Sequence, residues 1–585
     1  MFSYSSFFHL GMATSATAQV SKNEQIKLSD PTLGGTIGET LANPDVDRFS
    51  EDDEQFLKFH GIYQQDDRDK RKTGKQYIFM IRARITGGIV PPEQYLAFDD
   101  VSERYGNQTL RITSRQAFQW HGVAKKGLGP LMKGLNEALS TTIAACGDVN
   151  RNVMAPATPA TTLLIEQVHA DSRRVSDALL PQTRAYHDIW INGAPLKLRP
   201  EEKQAFEDPL YGKTYLPRKF KVAFAIPPLN DTDIFTNCLG FVAITDPADP
   251  TKLLGYNLLA GGGLAMSHGN KETFPRTADV IGFFTPDRIV SVARAVLTVH
   301  RDFGDRTNRR HARLKYVLED RGADWFRSEV ELRTGFKFEP ARAAKFDRQG
   351  DLFGWHRQVD GRQFLGLYVE TGRIKDTPQR QLKTALRRIV SKHRVEVRLT
   401  PSQNLLLTNV SSGQRDAITA ILAEHGIPVE NQAAAVRRSS MACPALPTCG
   451  LALAESERVF PGVLDRLESL LGELGLSDED IVVRMTGCPN GCARPYMAEI
   501  GLVGRAPGKY NLYLGGNEGS TRLNREYRAS VKLDELINEL RPVLTRWKYE
   551  RQEGEHFGDF CSRIVLPEHA AATAALAAAQ PIASA

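Results

Sequence analysis

Four of the seven cysteines lie within residues 441–504, in two pairs whose spacing suits a metal centre. Cys443 and Cys449 have the spacing C-x5-C in MACPALPTCG. Cys488 and Cys492 have the spacing C-x3-C in MTGCPNGCARP. A zinc ribbon has about two to four residues between paired cysteines, so the first pair is too wide for it.

An iron–sulfur cluster accepts such spacing, because its four thiolates surround a cube rather than a single ion. Both pairs lie in turns rich in Gly and Pro rather than on apolar faces, where unrelated buried thiols usually lie. The pattern therefore favours a cluster. The other cysteines, Cys146, Cys238 and Cys561, stand alone and are predicted to be structural.

Pairs of cationic residues with strand spacing form a second group. Arg82 and Arg84 alternate in YIFMIRAR, and Lys219 and Lys221 alternate in TYLPRKFKVAFAIPP, so each pair is predicted to share one strand face. Like charges on one face repel each other unless an anion lies between them. The two pairs therefore predict anion binding.

Further arginines follow similar patterns. Arg111 and Arg115 are predicted to share a face of one strand, LRITSRQAFQWHGV, although a solvated edge face fits the spacing equally well. Arg151 is predicted at the polar tip of a turn in GDVNRNVM. A third cluster has helical spacing and predicts either a solvated charge run or a cationic stripe for a ligand with several carboxylates. Its members are Arg306, Arg309, Arg310 and Arg313.

The elements that carry these residues recur along the chain. A strand at 77–84, a helix from Pro92 and LRITSRQAFQWHGV resemble a later strand at 364–373, the helix TALRRIVSKH and VRLTPSQNLLLTNV. Repeated strand–helix–strand units predict an internal duplication packed as a pseudo-twofold pair. Ser402 stands where the first copy has Arg115, so the first copy is predicted to be the working half.

Composition limits the function classes. The chain has 585 residues, 41% hydrophobic and 25% charged, with a net charge of +6 that is modest for this length. We find no apolar run of about 18 residues, so no membrane helix is predicted, and the charge pattern does not predict a nucleic-acid partner. A cluster needs reduced thiolates, which predicts a cytoplasmic location. Three glycines at 261–263 do not form a dinucleotide-binding motif.

The cysteine motifs MACPALPTC and TGCPNGCARPYMAEIGLVGRAPGKYNLYLGG resemble the sulfite and nitrite reductase haemoproteins. The resemblance extends from about Lys58 to Val565 and includes LRITSRQAFQWHG, NRNVMAP, YLPRKFK, AGGGL and RDFGDRTNRR. It implies an α+β fold, with duplicated ferredoxin-like halves plus duplicated sulfite/nitrite reductase α/β domains around a sirohaem–[4Fe-4S] centre.

The resemblance, together with the composition of the chain ends, predicts six segments. The N-terminal residues lack Lys or Arg before their apolar patch and are predicted to be a disordered leader, not a secretory signal. Residues 27–53 are predicted to be an extended arm. The segments are a leader and arm at 1–55, a ferredoxin-like half at 56–155, a sirohaem- and substrate-binding domain at 156–345, a second ferredoxin-like half at 346–430, a [4Fe-4S]/sirohaem domain at 431–570 and a disordered tail at 571–585.

The resemblance also implies the site. One [4Fe-4S] cluster would be bound by the four cysteines of 441–504, and Cys492 would also be the axial ligand of a sirohaem. Sulfite would be reduced to sulfide by six electrons in a pocket lined by Arg82, Arg151, Lys219 and Lys221. The sirohaem carboxylates would be bound by Arg111, Arg115, Arg309, Arg310 and Arg313, the last of which is often Lys in this family.

Substrate and electron donor are finer questions. Nitrite-reducing relatives tend to have Asn at the second Lys of RKFK, so Lys221 and CPALPTC favour sulfite, in assimilatory sulfur metabolism. The expected electron donor is a flavoprotein α-component that uses NADPH. The alternatives are a ferredoxin-dependent sulfite or nitrite reductase and, from another class, a zinc-containing protein that binds nucleic acid.

Overall fold

The computed structural model describes residues 19–159, 162–182, 190–191, 194–195 and 200–579. The first part of the predicted leader lies outside these residues. The chain forms mixed sheets and helices in four successive units, and the predicted α+β class with two duplicated kinds of unit is confirmed. In the described part of the chain, no helix is both long and apolar enough to cross a membrane.

The N-terminal segment is helical, so the prediction of an extended arm at 27–53 was wrong. Ile26 and Leu33 are buried in the core of the first α/β unit, and this tertiary burial outweighs the weak local pattern. A third helix follows Ser50, whose side chain accepts from the Asp53 amide in the manner of an N-cap. These helices are α1 (Lys22–Ser29), α2 (Ile37–Ala42) and α3 (Glu51–Phe59).

The first ferredoxin-like half is an antiparallel sheet covered by helices. Strand spacing buries Phe79 and Ile81 on one side, and α4 begins with Pro92 at its first position, as the sequence predicted. Its elements are β1 (Ile62–Asp66), β2 (Tyr77–Arg82), β3 (Ile89–Val90), α4 (Pro92–Tyr105), β4 (Leu110–Ile112), β5 (Phe118–Val123) and α5 (Lys125–Glu137).

The segment LRITSRQAFQWHGV is a hairpin, so the prediction of one strand carrying two arginines on one face was wrong. Thr113 closes the turn, because its hydroxyl accepts from the Ala117 amide at 3.2 Å and its own amide bonds the Ala117 carbonyl at 2.9 Å. Gln116 has a positive φ of 52° in that turn. Arg111 therefore lies in β4, and Arg115 lies in the turn.

The first α/β unit has the sheet order β11-β10-β9-β8, with β8 and β9 parallel. Asn150 and Met154 add a further parallel segment beside Phe220 and Ala223. Its elements are α6 (Leu163–Ala178), β6 (Trp190–Ile191), β7 (Ala194–Pro195), α7 (Pro200–Ala205), β8 (Val222–Ala225), β9 (Leu239–Thr245), β10 (Leu253–Ala260), β11 (Asp279–Phe284), α8 (Ile289–Phe303), α9 (Leu314–Arg321) and α10 (Ala323–Thr334).

The second ferredoxin-like half repeats the first, including the hairpin with a positive-φ glutamine, Gln403. Its elements are β12 (Gly354–Arg357), β13 (Gln363–Leu367), β14 (Arg373–Ile374), α11 (Leu382–His393), β15 (Glu396–Leu399), β16 (Leu405–Val410) and α12 (Arg415–Glu424).

The two halves exchange strands. β3 of the first half pairs with β15, while β14 of the second half pairs with β4. Gly88 and Gly372 precede these strands with φ of 74° and 75°, and a Cβ at either would lie within 3 Å of a carbonyl of the other half. One hydrophobic core serves both halves, which confirms the predicted pseudo-twofold pair.

The second α/β unit has the order β17-β18-β19-β20-β21, with the same pattern of parallel and antiparallel pairs as the first unit. Asp233 and Arg494 hold equivalent left-handed positions in the two units. Its elements are α13 (Ala435–Arg438), β17 (Met441–Ala442), α14 (Phe460–Leu474), β18 (Val483–Thr486), β19 (Ile500–Ala506), β20 (Lys509–Leu514), β21 (Arg525–Lys532), α15 (Leu536–Glu550), α16 (Phe557–Phe560) and α17 (Leu566–Ala579).

The C-terminal segment differs from the sequence-based expectation. Helix α17 continues to Ala579, so the prediction of disorder from residue 571 was wrong over its first part. Alanine has the highest intrinsic helix propensity, which favours continuation of a helix that is already begun. Residues 580–585 lie outside the described part of the chain.

Candidate active site

The first cysteine of each pair follows a strand of the same sheet, at the same end of that sheet. Cys443 follows β17 and Cys488 follows β18 after one glycine, and these strands are parallel neighbours. The Gly487 amide donates to the Cys443 sulfur at 3.4 Å, and the Asn490 side chain donates to the Cys488 sulfur at 3.6 Å. The geometry therefore places Cys443 and Cys488 at neighbouring strand ends, while the shared site of all four cysteines stays a prediction.

All four thiols influence one another. Burial raises the pKa of Cys443, and negative charge on the other three raises it further. Cys449 and Cys488 are affected in the same way, so each of the six thiol pairs is within electrostatic reach. Among the described residues, no group of three or more His, Cys, Asp or Glu side chains is arranged to hold a single metal ion.

A half-buried carboxylate, that of Glu457, lies next to the backbone of Cys443. The Glu457 amide bonds the Cys443 carbonyl at 3.1 Å, and its carboxylate accepts from Arg373 Nε and Nη2 at 2.7 Å and 3.0 Å. Despite burial, Arg111 and Arg373 hold the pKa of Glu457 down at about 2. Gln403 further fixes this strand by bonding both the carbonyl and the amide of Ala442.

Cys492 differs from the other three thiols. It is exposed, whereas Cys443 and Cys488 are buried and Cys449 is half-buried. Its carbonyl accepts from the Ser114 hydroxyl at 2.7 Å, which ties the cysteine turn to the hairpin of the first half. Of the four thiols it is the one most accessible to a second group.

The four cations predicted for substrate lie in one region. Burial lowers the pKa of Lys219 well below its usual value, and four neighbouring cations lower it further. These are Arg313, Arg218, Lys221 and Arg151. Burial, followed by Arg151, lowers the pKa of Arg115 to about 9, and Arg82 contributes to the same shift. We call the following seven residues the cationic pocket: Arg82, Arg115, Arg151, Arg218, Lys219, Lys221 and Arg313.

The cationic pocket adjoins the exposed thiol. Burial, followed by Arg115 and Arg313, lowers the pKa of Lys221 to about 7. The thiols of Cys238 and Cys492 act in the opposite direction, so Lys221 is within electrostatic reach of Cys492. Like charges in such a place are costly unless an anion balances them.

Two parallel segments carry three of the pocket cations. The Arg151 amide bonds the Phe220 carbonyl at 2.9 Å, and the Phe220 amide bonds the Val149 carbonyl at 3.0 Å. Lys219 and Lys221 flank the buried Phe220, so their predicted shared face holds, although both precede β8. Arg151 is buried in the other segment, and its prediction as an exposed turn tip was wrong.

Arg82 brings two residues to the site that the sequence analysis missed. It ends β2, and its Nη1 lies 3.3 Å from the Cys146 sulfur. Burial raises the pKa of Tyr63, and the Cys146 thiol raises it further. Burial lowers the pKa of Arg151, but Cys146 and Tyr63 outweigh this effect. Cys146 and Tyr63 thus adjoin both arginines, and no local spacing in the sequence indicates this.

The five arginines predicted for carboxylates are not in one place. Arg115 and Arg313 belong to the cationic pocket. Arg111 is fully buried and donates to the Ala442 carbonyl at 2.6 Å, with Glu457 nearby at 3.4 Å. The remaining two are Arg309, which makes hydrogen bonds of 2.8 Å and 3.1 Å to Asp148, and Arg310, which is exposed.

The predicted helical stripe from Arg306 to Arg313 was wrong, because this stretch is a loop between α8 and α9. Asp305 causes the break, since its carboxylate accepts from the amides of Thr307 and Asn308 at 2.7 Å and 2.9 Å. Such side-chain bonds to nearby amides favour a turn over a helix. From this stretch, Arg313, which precedes α9, is the residue that lowers the pKa values of both Lys219 and Lys221.

Two family models match the chain. The "Nitrite/Sulfite reductase ferredoxin-like half domain" matches residues 70–138 and 356–425. The "Nitrite and sulphite reductase 4Fe-4S domain" matches residues 170–338. The four cysteines of 441–504 lie outside both matches, so their grouping rests on the geometry described above.

Whole-length relatives are similar to this chain. It is 46% identical over 546 residues to the Sulfite reductase [NADPH] hemoprotein beta-component of Shouchella clausii, covering 92% of this chain and 94% of that protein. It is 47% identical over 552 residues to the protein of the same name from Myxococcus xanthus, covering 93% and 96%. The NirA protein of Mycobacterium tuberculosis has the same fold, with a TM-score of 0.74, 24% identity and coverage of 93% and 96%.

Proposed function

This chain belongs to the family of sulfite reductase hemoprotein beta-components, and we propose that it reduces sulfite to sulfide by six electrons. One observation carries the proposal above the others. The exposed thiol of a four-thiol set, Cys492, adjoins a pocket of buried and half-buried cations that no carboxylate of the described residues neutralises in full. A dianion bound there would remove the repulsion between those cations.

The residues fit the two cofactors that such a reaction uses. Cys443, Cys449, Cys488 and Cys492 would hold a [4Fe-4S] cluster, since each pair of these thiols is within electrostatic reach. Cys492 would also bind the iron of a sirohaem, because it alone of the four is exposed. When bound, these groups supply electrons one at a time and an open position for the sulfur oxyanion.

The arginines predicted for sirohaem carboxylates divide into two sets. Arg115 and Arg313 face the cationic pocket and are the best placed of the five. Arg111 and Arg309 already contact Glu457 and Asp148, so we propose that they mainly hold the backbone of the site. Arg310 would reach a carboxylate from the surface.

The cations orient the substrate and supply protons. Arg82 and Arg151 would donate to sulfite oxygens, because charge-assisted hydrogen bonds hold an anion firmly. Each oxygen that is lost leaves as water, so proton donors must stand beside it. Lys221 suits this role, because its pKa of about 7 lets it give and regain a proton near neutral pH.

An absorption spectrum, a metal assay and a turnover assay test the proposal. We expect a coloured protein with a Soret band and about five irons per chain, one in the haem and four in the cluster. With reduced methyl viologen as electron donor, sulfite should be consumed and sulfide formed. A colourless protein that contains zinc and binds nucleic acid would overturn the proposal.

We propose that electrons come from a flavoprotein component that uses NADPH. The printed names of the relatives support this, since a beta-component that is named for NADPH implies a second component. Reconstitution should restore NADPH-dependent sulfite reduction with the flavoprotein and not with ferredoxin. The opposite result would assign the chain to the ferredoxin-dependent alternative. Because cluster thiolates must stay reduced, we also propose a cytoplasmic location.

A further inference from the structure

We propose that Lys27, on the N-terminal helix α1, is a positioning residue for the cationic pocket. The inference rests on the proposed function, because it concerns the cations assigned to sulfite. Sequence alone gives no reason to connect a helix at residues 22–29 with Arg151, Lys219 and Lys221, which lie more than a hundred residues later. The connection comes from a buried network of ion pairs and backbone bonds.

Lys27 joins two parts of the chain that are distant in sequence. Its side chain is only 2% exposed, and its Nζ donates to the Leu216 carbonyl at 2.8 Å. The same Nζ lies 3.6 Å from Asp148 Oδ2 and donates to Glu24 on its own helix. A lysine so buried is retained only where its charge is paired and its donors are used.

The two residues that Lys27 contacts begin the segments that carry the pocket cations. Asp148 lies three positions before Arg151, and Leu216 lies three positions before Lys219. The Leu216 amide bonds the Asp148 carbonyl at 3.0 Å, which is the first bond between these segments. Lys27 therefore bridges the first residues of two hydrogen-bonded segments. The bonds between these segments set the distance of Arg151 from Lys219 and Lys221.

Arginines complete the network on its outer side. Asp148 accepts from both terminal nitrogens of Arg309, and Glu24 pairs with Arg306. Arg306 also donates to the Tyr215 carbonyl at 2.8 Å, next to Leu216. Without Lys27, Asp148 keeps Arg309 and Glu24 keeps Arg306, but the Leu216 carbonyl loses its lysine donor. The Lys219 segment then loses one of the contacts that hold it beside the Arg151 segment, and we expect a small shift between the two.

Such a shift should affect an anion more than a neutral ligand. Sulfite needs several cations at fixed positions, and a misplacement of about 1 Å can cost roughly a hundredfold in rate. Carbon monoxide binds ferrous haem without charge and needs none of these cations. The ratio of the two affinities therefore separates a positioning role from general damage to the fold or to the haem site.

The experiment compares the holoenzyme with its Lys27→Met variant. Methionine has a similar length without charge, so Asp148 stays paired with Arg309. We expect the KM for sulfite to rise about tenfold with reduced methyl viologen as donor, with a smaller change in kcat. Carbon monoxide affinity, iron content and the Soret band should stay unchanged. Lys22→Met is the matched control, since Lys22 lies on the same helix and is 68% exposed, and it should change none of these values.

Lys27→Gln provides a second variant that keeps a donor for the Leu216 carbonyl. It should raise the KM less than Lys27→Met does, and it replaces that variant if methionine prevents folding. Unchanged sulfite affinity in both variants, or equal losses for sulfite and carbon monoxide, would overturn the inference. A wild-type holoenzyme that binds carbon monoxide but never reduces sulfite would instead overturn the proposed function.

Discussion

At the scale of single residues, the site is defined by charge that the protein alone does not balance. Burial and neighbouring cations lower the pKa values of Lys219 and Lys221 together. Elsewhere in the described chain a buried charge has a partner of opposite sign, as Asp148 has in its ion pair with Arg309. The contrast indicates that the cationic pocket is balanced by bound anions, which are carboxylates of the cofactor and the substrate in the proposed function.

Cys492 provides the first prediction at this scale. Cys492→Ser should lose the haem and sulfite turnover together, because the thiol would serve both cofactors. Absorption spectra and iron content measure the loss. Cys561→Ala is the control, since Cys561 is buried in the core of the second α/β unit, away from the four thiols, and it should retain both cofactors. A Cys492→Ser protein with a normal Soret band would contradict the assignment.

Lys221 provides the second prediction. Lys221→Asn removes a positive charge from the pocket, so turnover of the dianion sulfite should fall more than turnover of the monoanion nitrite. We expect kcat/KM for sulfite to fall by about tenfold or more relative to nitrite, which corresponds to one strong charge contact. Steady-state assays with reduced methyl viologen measure both values. Equal losses for the two anions would remove Lys221 as a basis for substrate preference.

At the scale of elements, short strands and turns do most of the positioning. The exchanged strands β3 and β14 lock the two ferredoxin-like halves together. The hairpin turn of the first half aims Arg115 at the pocket, where it donates to the carbonyls of Asn152 and Val222 at 2.6 Å and 3.0 Å. Each of these features depends on bonds between distant parts of the chain.

The strand exchange predicts a strong effect of one methyl group. In Gly372→Ala the new Cβ would lie 2.7 Å from the Ile112 carbonyl, at a φ of 75° that alanine disfavours. The free energy of unfolding should fall by about 1–3 kcal/mol or more, as a lower urea midpoint. Gly361→Ala has a similar φ of 81° but nothing within 4 Å, so it should cost clearly less. Equal costs would mean that the close approach carries no energy.

A histidine before α16 predicts a pH dependence of stability. Glu518, 2.9 Å away, raises the pKa of His556 from its usual 6.5 to about 9, with Glu499 and Asp559 adding to the effect. Because the folded pKa is the higher one, this contribution is fully present below pH 6.5 and is lost as pH rises through about 9. Partial exposure of the pair keeps the contribution small.

Melting temperatures of the wild type and His556→Gln across this pH range test that prediction. The wild type should be the more stable protein at pH 6, and the difference should shrink as the pH approaches 9. A difference that stays constant over the range would show that the ion pair does not contribute.

At the scale of the whole molecule, duplication creates two similar frameworks, but within the described residues only the first copy carries the cationic pocket. Val222 and Val483 are the first residues of the equivalent parallel strand pairs in the two α/β units. Counting back from them, the second unit has Val482 at the position of Lys221 and Asp480 at the position of Lys219. Gly366 stands at the position of Arg82 in the second half. The second copy thus lacks the charges, although it shares the backbone, which agrees with the prediction that the first copy is the working half.

The two α/β units meet at a buried ion cluster. Asp233 Oδ2 lies 2.6 Å from Arg484 Nη1 and 2.5 Å from Arg494 Nε. Arg494 also donates to the carbonyls of Ser114 and Pro401, one from each ferredoxin-like half. Four units of the fold therefore converge on one guanidinium, two residues after Cys492.

Asp233→Asn tests the importance of that junction. It leaves two buried arginines without their carboxylate, and the loss of one partner of a buried pair costs about 3–5 kcal/mol. We expect a markedly lower urea midpoint and partial loss of both cofactors. Asp249→Asn, at an exposed turn, should leave the midpoint unchanged. A stable Asp233→Asn protein with full cofactor content would show that the units are held together by other contacts.

The four cysteines and the duplication could be predicted from local spacing, because repeated strand–helix–strand patterns imply repeated folds. The meeting of the two cysteine pairs also depends on β17 and β18 being neighbours in one sheet. The alternation of Lys219 and Lys221 around Phe220 likewise survived, since it depends only on an extended backbone.

The other cations of the site come together through contacts between distant parts of the chain, which sequence spacing does not reveal. Arg111 and Arg115 were separated by a hairpin, and Arg306 and Arg313 by an Asp305 turn, because face arguments hold only while the backbone stays regular. Partners distant in sequence, such as Lys27 with Leu216, then fixed the positions of the segments. Sequence spacing predicts which residues are neighbours within one helix or strand. The partner of a buried charge, in contrast, is often a residue distant in sequence that the fold brings close to it.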